Sequence, residues 1–586
     1  MKFVGQTRAV LGALLFPCCV LGAQDSLAKP APQSSRGRLP VTGCAGQIIS
    51  NIVVITQPPY TDKLPARLEF VRRAARAVHS TTRDEIIRRY LLLDVGEPCN
   101  QIRRAESERI LRAQPFLVDA RILVYDDEAG GVRLDVETRD EFSLLAGGDV
   151  SPSKPFVHGL RFGDNNVGGS AIAAAINWHD APRYHSVIGF ELTDYQFARG
   201  RQIFRLSGTR YARGQELRAE IVHPYFTDLQ RFGWIASIGG TRDYTDLLRP
   251  REETNSVNVT RQFADLGALI RVGSVGRLKL LGLALTRETE RADSIGVRIT
   301  DNGFRPDSGA PLRAAFRSQN VVRLNGLLGL RRIGFQRVQG FDALNGAQDV
   351  RIGMEAGFIV GQSVQVGNAR DRDRFVGGSI YAGVGSAKSF GGMQLQSEAR
   401  YDRDAHVWDN IVSSGRMAWY FHPAEKQLTL ISGEWSSIRS MGVPAQLSMA
   451  DFLGGLHAHA RSRDPGAARL IIRGEQRLII PTRYNVGDAG LAVFAEAGRL
   501  WRDPSVPYSV DTPWRGAVGV SVLAAVPPRS RRLFRLDLAI PISSDRDRKF
   551  EVRFIAADLT RLFWREPYDV EPARERTVPK SLFRWP

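Results

Sequence analysis

His457 and His459 stand two residues apart in Leu456-His457-Ala458-His459-Ala460 and, if their side chains converge, could share a metal ion. No cysteine and no further histidine lies nearby, so the stretch supplies too few ligands for an ordinary zinc site, and a loop contact is the better-supported reading. Glu106 and Glu108 could make an acid–base pair, but they belong to a charged helical stretch and read as a solvated face. Gly383-x-Gly385 is a lone glycine pair in a strand context, a packing or turn feature. There is no Gly-x-Ser-x-Gly elbow, no Gly-x-x-x-x-Gly-Lys phosphate loop and no His-Glu-x-x-His. The chain therefore reads as non-enzymatic, with no catalytic, cofactor or metal-binding residue to assign. Only Cys44 and Cys99 lie beyond the first thirty residues. In an exported chain two such thiols favour a disulfide, with geometry as the deciding factor.

Export is itself legible. Lys2 and Arg8 give a positive start, Ala9 to Leu21 is apolar, and Leu21-Gly22-Ala23 ends in small residues. Residues 1–23 thus read as a secretory signal peptide rather than a membrane anchor, the apolar run being short for a span. Residues 24–45 read as a linker, with Pro30, Pro32, Gln33, Ser34 and Ser35 offering nothing to bury. No later segment has the length of apolar sequence that a membrane helix needs. The formal charge of +18 comes from 80 basic and 62 acidic residues. These charges are interspersed along strands with no nucleic-acid motif, so nucleic acid is not an expected partner.

The pattern at the C-terminal end sets the class. Phe534, Leu536, Leu538, Ile540 and Ile542 alternate with Arg535, Asp537, Ala539 and Pro541; after a polar turn, Phe550, Val552 and Phe554 alternate with Glu551 and Arg553. A period of two puts the apolar residues on one face and nearly all the charge on the other. In a transmembrane barrel the apolar face meets lipid and the charged face a polar lumen. Leu538 is expected to face lipid and Asp537 a wet lumen where Arg is tolerated. Turn signals such as Asp164-Asn165-Asn166 and Asp301-Asn302-Gly303 recur without sustained helical periodicity. Trp178, Tyr184, Tyr195, Phe204, Tyr225, Phe226, Trp234, Trp419, Tyr420 and Phe421 are candidates for interfacial girdles.

Before the barrel, residues 46–145 read as a small α+β domain. Ile48 to Ile55 form a strand, residues 66–78 have mixed helical character, and Thr82 with Glu85 suggests a capping box. Ile102, Ala105, Arg109 and Ile110 mark a second helix, and Leu117–Tyr125 with Val132–Val136 a hairpin.

The run TTRDEIIRRYLLLDVGEPC, then ESERILR, FLVDARILVYD and GVRLDVETRDEFSL, resembles a single POTRA domain of the bacterial BamA/TamA family. DNNVGGSAI (Asp164 to Ile172), EIVHPYF, FLGGL, IRGEQR and VFAEAGRLW are similar to that family's barrel elements and occur in its order. The resemblance implies an all-β transmembrane antiparallel barrel of about 16 strands over residues 147–565, leaving 566–586 as a C-terminal tail. It implies an outer-membrane location with the POTRA domain in the periplasm. The implied function is insertion or translocation of outer-membrane or exported clients. Expected partners are outer-membrane lipid, client proteins, and periplasmic chaperones or accessory lipoproteins. A passive pore or surface antigen with a POTRA tether is the alternative.

Family members carry an Arg-Gly-aromatic tip on a loop folded into the lumen, its Arg pairing with an Asp in a strand motif. This chain has Leu456 to Ala460 at the tip and Glu496 in the strand. Both partners differ, so Glu496 is expected to pair with an arginine of the loop, Arg461 or Arg463 ahead of Arg469, or else the lock is lost.

Overall fold

The computed structural model describes residues 43–59, 79–127, 130–150, 157–179, 187–211, 214–250, 255–293, 296–300, 303–307, 317–450, 454–459, 462–482, 486–542, 550–558 and 566–574. The leader, nearly all of the linker, the stretch 66–78, Tyr184 and Arg461 lie outside the described residues.

The small domain comprises β1 (Ala45–Gln57), α1 (Asp84–Tyr90), β2 (Pro98–Asn100), α2 (Gln101–Arg112), β3 (Leu117–Asp126) and β4 (Val132–Asp140). Its sheet runs β2-β1-β4-β3, with β1 parallel to β4 and the other pairs antiparallel. Alternation along the strands and helical spacing along α1 and α2 bring Ile49, Ile52, Ile86, Ile87, Ile110, Leu111, Ile122 and Leu134 into one core. Two local expectations change. Thr82 does not cap α1, whose N-cap residue is Arg83 with no side-chain bond. The Thr82 hydroxyl donates instead to buried Asp140 at 2.8 Å, tying the helix start to the end of β4. The cap on α2 is Asn100, whose side chain accepts from the Ile102 and Arg103 amides. Cys44 and Cys99 are joined, with their Cα atoms 4.9 Å apart and 55 residues between them in sequence. Closing a loop of that length stabilises a fold by roughly 4 kcal/mol in the chain-entropy description. The denatured, unreduced mature protein is expected to show no free thiol to a labelling reagent; two labelled cysteines would contradict the link.

The remaining strands close into a barrel, from Leu144–Val150 to Glu551–Asp558, and those two strands are neighbours at the seam. Among the described residues twenty strands stand side by side, and a hairpin, Gly296–Thr300 with Gly303–Asp307, extends the sheet at one end. The expectation of about 16 strands is thereby corrected. Dividing residues 147–565 by sixteen assumed a uniform allotment of chain, but early strands such as Val157–Asp164 and Ile172–His179 take only 8 residues each.

The barrel is inside-out relative to a water-soluble fold. Leu281, Leu283, Leu285, Leu328, Val360, Trp419, Val520 and Leu538 are exposed, while Arg271, Arg323, Arg331, Arg469, Glu496 and Asp537 are buried. Strand alternation sends the first set outward and the second into the lumen, and an apolar outer surface this extensive needs hydrocarbon around it. Leu538→Arg is therefore expected to cost about 2–4 kcal/mol and deplete the folded band on a heat-modifiability gel. Asp537 is not the solvated lumen acid expected. It is 1% exposed and bonds Arg535 at 2.6 Å, so Asp537→Arg should fail as well.

The small domain sits on the barrel rim that carries the turns at 165–171, 198–201 and 340–346. Tyr90 Oη donates to the Tyr195 carbonyl at 3.1 Å, and Gln196 Nε2 to the Ile86 carbonyl at 2.9 Å. Arg201 donates to the Arg89 and Leu91 carbonyls, and Arg112 makes a two-bond pair with Asp349 at 3.0 and 3.1 Å. Glu106 is not simply solvated, since it bonds Arg109 on its own helix and the Thr227 hydroxyl of the rim. Burial pushes the Glu106 carboxyl up, but Arg109 and Thr227 outweigh it and hold it below the usual carboxylate value. Of the girdle candidates, Trp419 and Phe421 face outward, whereas Tyr225, Phe226 and Tyr420 are buried. Phe226 packs against Tyr90 of the small domain at 5.9 Å between ring centroids. Hydrogen bonds cross the seam at this rim: Ser530 Oγ donates to the Glu141 carboxylate at 2.8 Å, the Arg531 amide to the same carboxylate at 3.4 Å, and Arg532 Nη1 to the Leu144 carbonyl at 3.0 Å.

Candidate functional site: a charged lock in the lumen

Ile472-Arg473-Gly474-Glu475-Gln476-Arg477 alternates, and its strand, Ala468–Ile480, turns Arg469, Arg473, Glu475 and Arg477 into the lumen. The neighbouring strand, Asp488–Trp501, presents Glu496 directly across from Arg473. Arg473 Nε donates to Glu496 Oε2 at 3.0 Å, and its Nη2 reaches the Gly455 carbonyl at 2.5 Å. The loop that follows strand Gln427–Arg439 thus folds inward and places its tip on this carboxylate.

His457 is the tip residue that meets the lumen acids. Its backbone amide donates to Glu496 Oε1 at 2.5 Å, and its Nδ1 lies 3.0 Å from the same oxygen. Its Nε2 faces Asp537 Oδ2 at 3.4 Å, a charge contact without hydrogen-bond alignment. The ring packs on Phe494 at 5.0 Å, and the Ala458 amide donates to Glu551 on the last strand. A tip imidazole therefore stands where a guanidinium was expected, and the imidazole spends its nitrogens on carboxylates rather than a metal.

The expected partners of Glu496 are thus corrected. Glu496 bonds Arg473 and His457; Arg463 is exposed with no bond to it, and Arg461 is not among the described residues. Lower in the lumen, Arg535 bridges Glu475 at 2.7 Å and Asp537 at 2.6 Å, so the charges interlock across four strands.

A second layer comes from the C-terminal segment 566–574, which folds back into the lumen. Asp569 accepts from Arg469 at 2.5 and 2.9 Å and from the Ser448 amide at 3.0 Å. Arg574 bonds Glu566 at 2.6 Å, Glu398 at 3.2 Å and Ser414 at 2.6 Å, while Arg261 donates to the Pro572 carbonyl. Val570 and Ala573 complete an apolar cluster with Leu447, Met449, Leu456 and Leu500. Gly454 of the loop has φ +97°, and a Cβ there would stand 2.9 Å from Pro567, so only glycine lets loop and tail cross. Arg473 belonged to a motif legible in sequence, and its inward face followed from the alternation. Asp569 and Arg574 gave no signal, because a segment outside the strand pattern carries no periodicity to place it.

No family model matches the chain, and no curated protein does. Among solved structures it is similar to BamA from Haemophilus ducreyi lacking POTRA domains 1–3, at 12% identity and TM-score 0.36, over 87% of this chain and 85% of that one. It is also similar to CdiB from Escherichia coli, at 12% identity and TM-score 0.40, over 90% of this chain and 92% of the other. CdiB from Acinetobacter baumannii matches at 10% identity and TM-score 0.37, over 87% of this chain and 74% of the other.

Proposed function

We propose that this chain is a non-enzymatic outer-membrane barrel whose small domain is a POTRA domain in the periplasm, and that it assists insertion or translocation of client proteins. The observation that carries this reading is the closed inside-out barrel with a sheet-bearing domain docked on one rim. The apolar exterior favours a lipid environment, the leader-like start favours export, and the order of motifs favours the BamA/TamA resemblance. Periplasmic chaperones or accessory lipoproteins would then dock on the exposed side of the small domain. With the lock in place, a client crosses or enters the membrane only after the loop and tail move, or after the seam parts.

One observation favours a passive pore or surface antigen instead. POTRA sheets receive clients by edge pairing, and the outer edge of β3 is already occupied. Glu108 accepts from the Ile122 amide at 2.9 Å, Arg104 donates to the Ile122 carbonyl at 2.7 Å, and Arg112 to the Ala120 carbonyl at 3.3 Å. Side chains of α2 thus do for β3 what a partner strand would. Deletion of the gene separates the readings: a fall in the abundance of other barrel proteins supports the assembly role, and a change in permeability alone supports the passive one.

A further inference from the structure

The end of the barrel opposite the small domain carries an arginine cluster that the lumen lock does not use. Arg374 lies on Asp373–Gly385, Arg372 just before that strand and Arg403 just after Ser389–Asp402, with Ala347–Ser363 and Val407–Ala424 on either side. Gln362 pairs across with Arg374, Arg374 with Tyr401, and Tyr401 with Trp408. On these strands Val360, Ile380 and Leu395 face outward, and by the same alternation so does the Gln362–Arg374–Tyr401–Trp408 row. Arg372 and Arg403 flank the row, joined by a backbone bond of 2.9 Å. Arg372, Arg374, Tyr401, Arg403, Asp404 and His406 line an open pocket of about 520 Å³.

Among the described residues, one of the three arginines in this cluster has a carboxylate partner. Arg372 reaches Asp404 at 3.6 Å with both side chains half exposed, and Arg374 donates only to Gln362. Among the described residues no carboxylate pairs with Arg374 or Arg403. The inward-facing Arg400, next to Tyr401, is paired with Asp409, and Arg323 on the strand Gln319–Gln339 is paired with Asp373.

Position narrows the ligand. Trp408 is 50% exposed and packs at a tilt on Tyr401 with ring centroids 5.2 Å apart, and exposed aromatics of this kind suit the border of a hydrocarbon layer. Six residues further along the strand from Arg374 stands outward Ile380, about 20 Å deeper in the apolar band. A ligand that places phosphate on the arginines and acyl chains along Ile380 and Leu395 satisfies both regions. We infer that this cluster binds the phosphorylated sugar headgroup of an outer-leaflet glycolipid of the lipid A class. Guanidinium groups take phosphate oxygens in two-bond geometry, which favours this class over a neutral glycolipid. The inference rests on the outer-membrane reading, because only there does this end meet such a lipid.

The test uses the full-length purified protein in detergent, titrated with bisphosphorylated lipid A and with the same lipid A after removal of both phosphates, bound lipid being read by native mass spectrometry. The phosphorylated form should bind about tenfold more tightly, and the R372Q/R374Q/R403Q triple variant should lose that preference. Equal binding of the two lipids, or an unchanged preference in the triple variant, overturns the site. Equal binding of phosphatidylglycerol overturns the glycolipid as occupant. Failure of the barrel reading is distinguished separately, since the protein would then lose heat-modifiable mobility and leave membranes in alkaline carbonate.

Discussion

Truncation after residue 565 is expected to turn a closed barrel into a conducting one. The tail's Asp569 is the two-bond partner of Arg469, which is 1% exposed, and its Arg574 is the partner of buried Glu398. Removing one member of a buried pair costs up to about 3–5 kcal/mol, less where water reaches the charge left behind. Here two such pairs go together, and with them the Ser448 amide bond that pins the loop. Lumen water then replaces the tail, and the loop loses the surface on which Leu447, Met449 and Leu456 pack. Planar-bilayer recordings should show a stepwise rise in single-channel conductance, with the barrel still heat-modifiable. The double variant Asp569→Asn with Arg574→Gln removes the charges and keeps the chain, and should raise conductance in the same direction. Unchanged conductance in both would mean that the segment does not close the pore.

The second large effect is expected at Glu496. Glu496→Ala removes the acceptor for the His457 amide, the His457 ring and Arg473 in one step. The expected loss is about 3 kcal/mol, at the low end for a buried pair because Arg473 is 36% exposed to the lumen. Thermal unfolding in detergent should shift downward, and brief channel openings should become frequent. A double-mutant cycle with His457→Ala should return a coupling of about 0.5–3 kcal/mol, while a cycle with Arg463→Glu should return none. Additivity of Glu496 with His457 would show that the two do not act as a unit.

These two sites differ in how far the chain alone revealed them. The facing of Leu538 and Asp537 was legible because strand alternation is a local property. The position of Glu496 in the lumen followed from the same rule applied to its strand. Its partner was not legible. Arg461 and Arg463 lie a few residues beyond the loop tip, and sequence proximity gave them preference over Arg473, which reaches Glu496 by cross-strand register. Register is set by pairing over the whole ladder and leaves no mark on a single residue. The loop contact preferred for His457 over a metal site is found, but its partners Glu496 and Asp537 come from the fold and left no mark near it in sequence. The strand number failed for a related reason: turns as tight as the one between Ser274 and Arg277 leave almost no linker for sequence to show.

The bonds that cross the seam at the small-domain rim bear on how the barrel can come apart. Glu141 to Ser530 and Arg532 to the Leu144 carbonyl hold that end, and the first and last strands beyond it are short, 7 and 8 residues. The seam is thus a zip with its stop sewn at the rim. Fraying starts at the far end and runs toward the stop, so the gap it opens is a wedge with its wide mouth toward the other leaflet. Amide exchange graded from slow at Leu144 to fast at Val150 is the trace such a wedge leaves, and a flat profile would mean the strands part all at once.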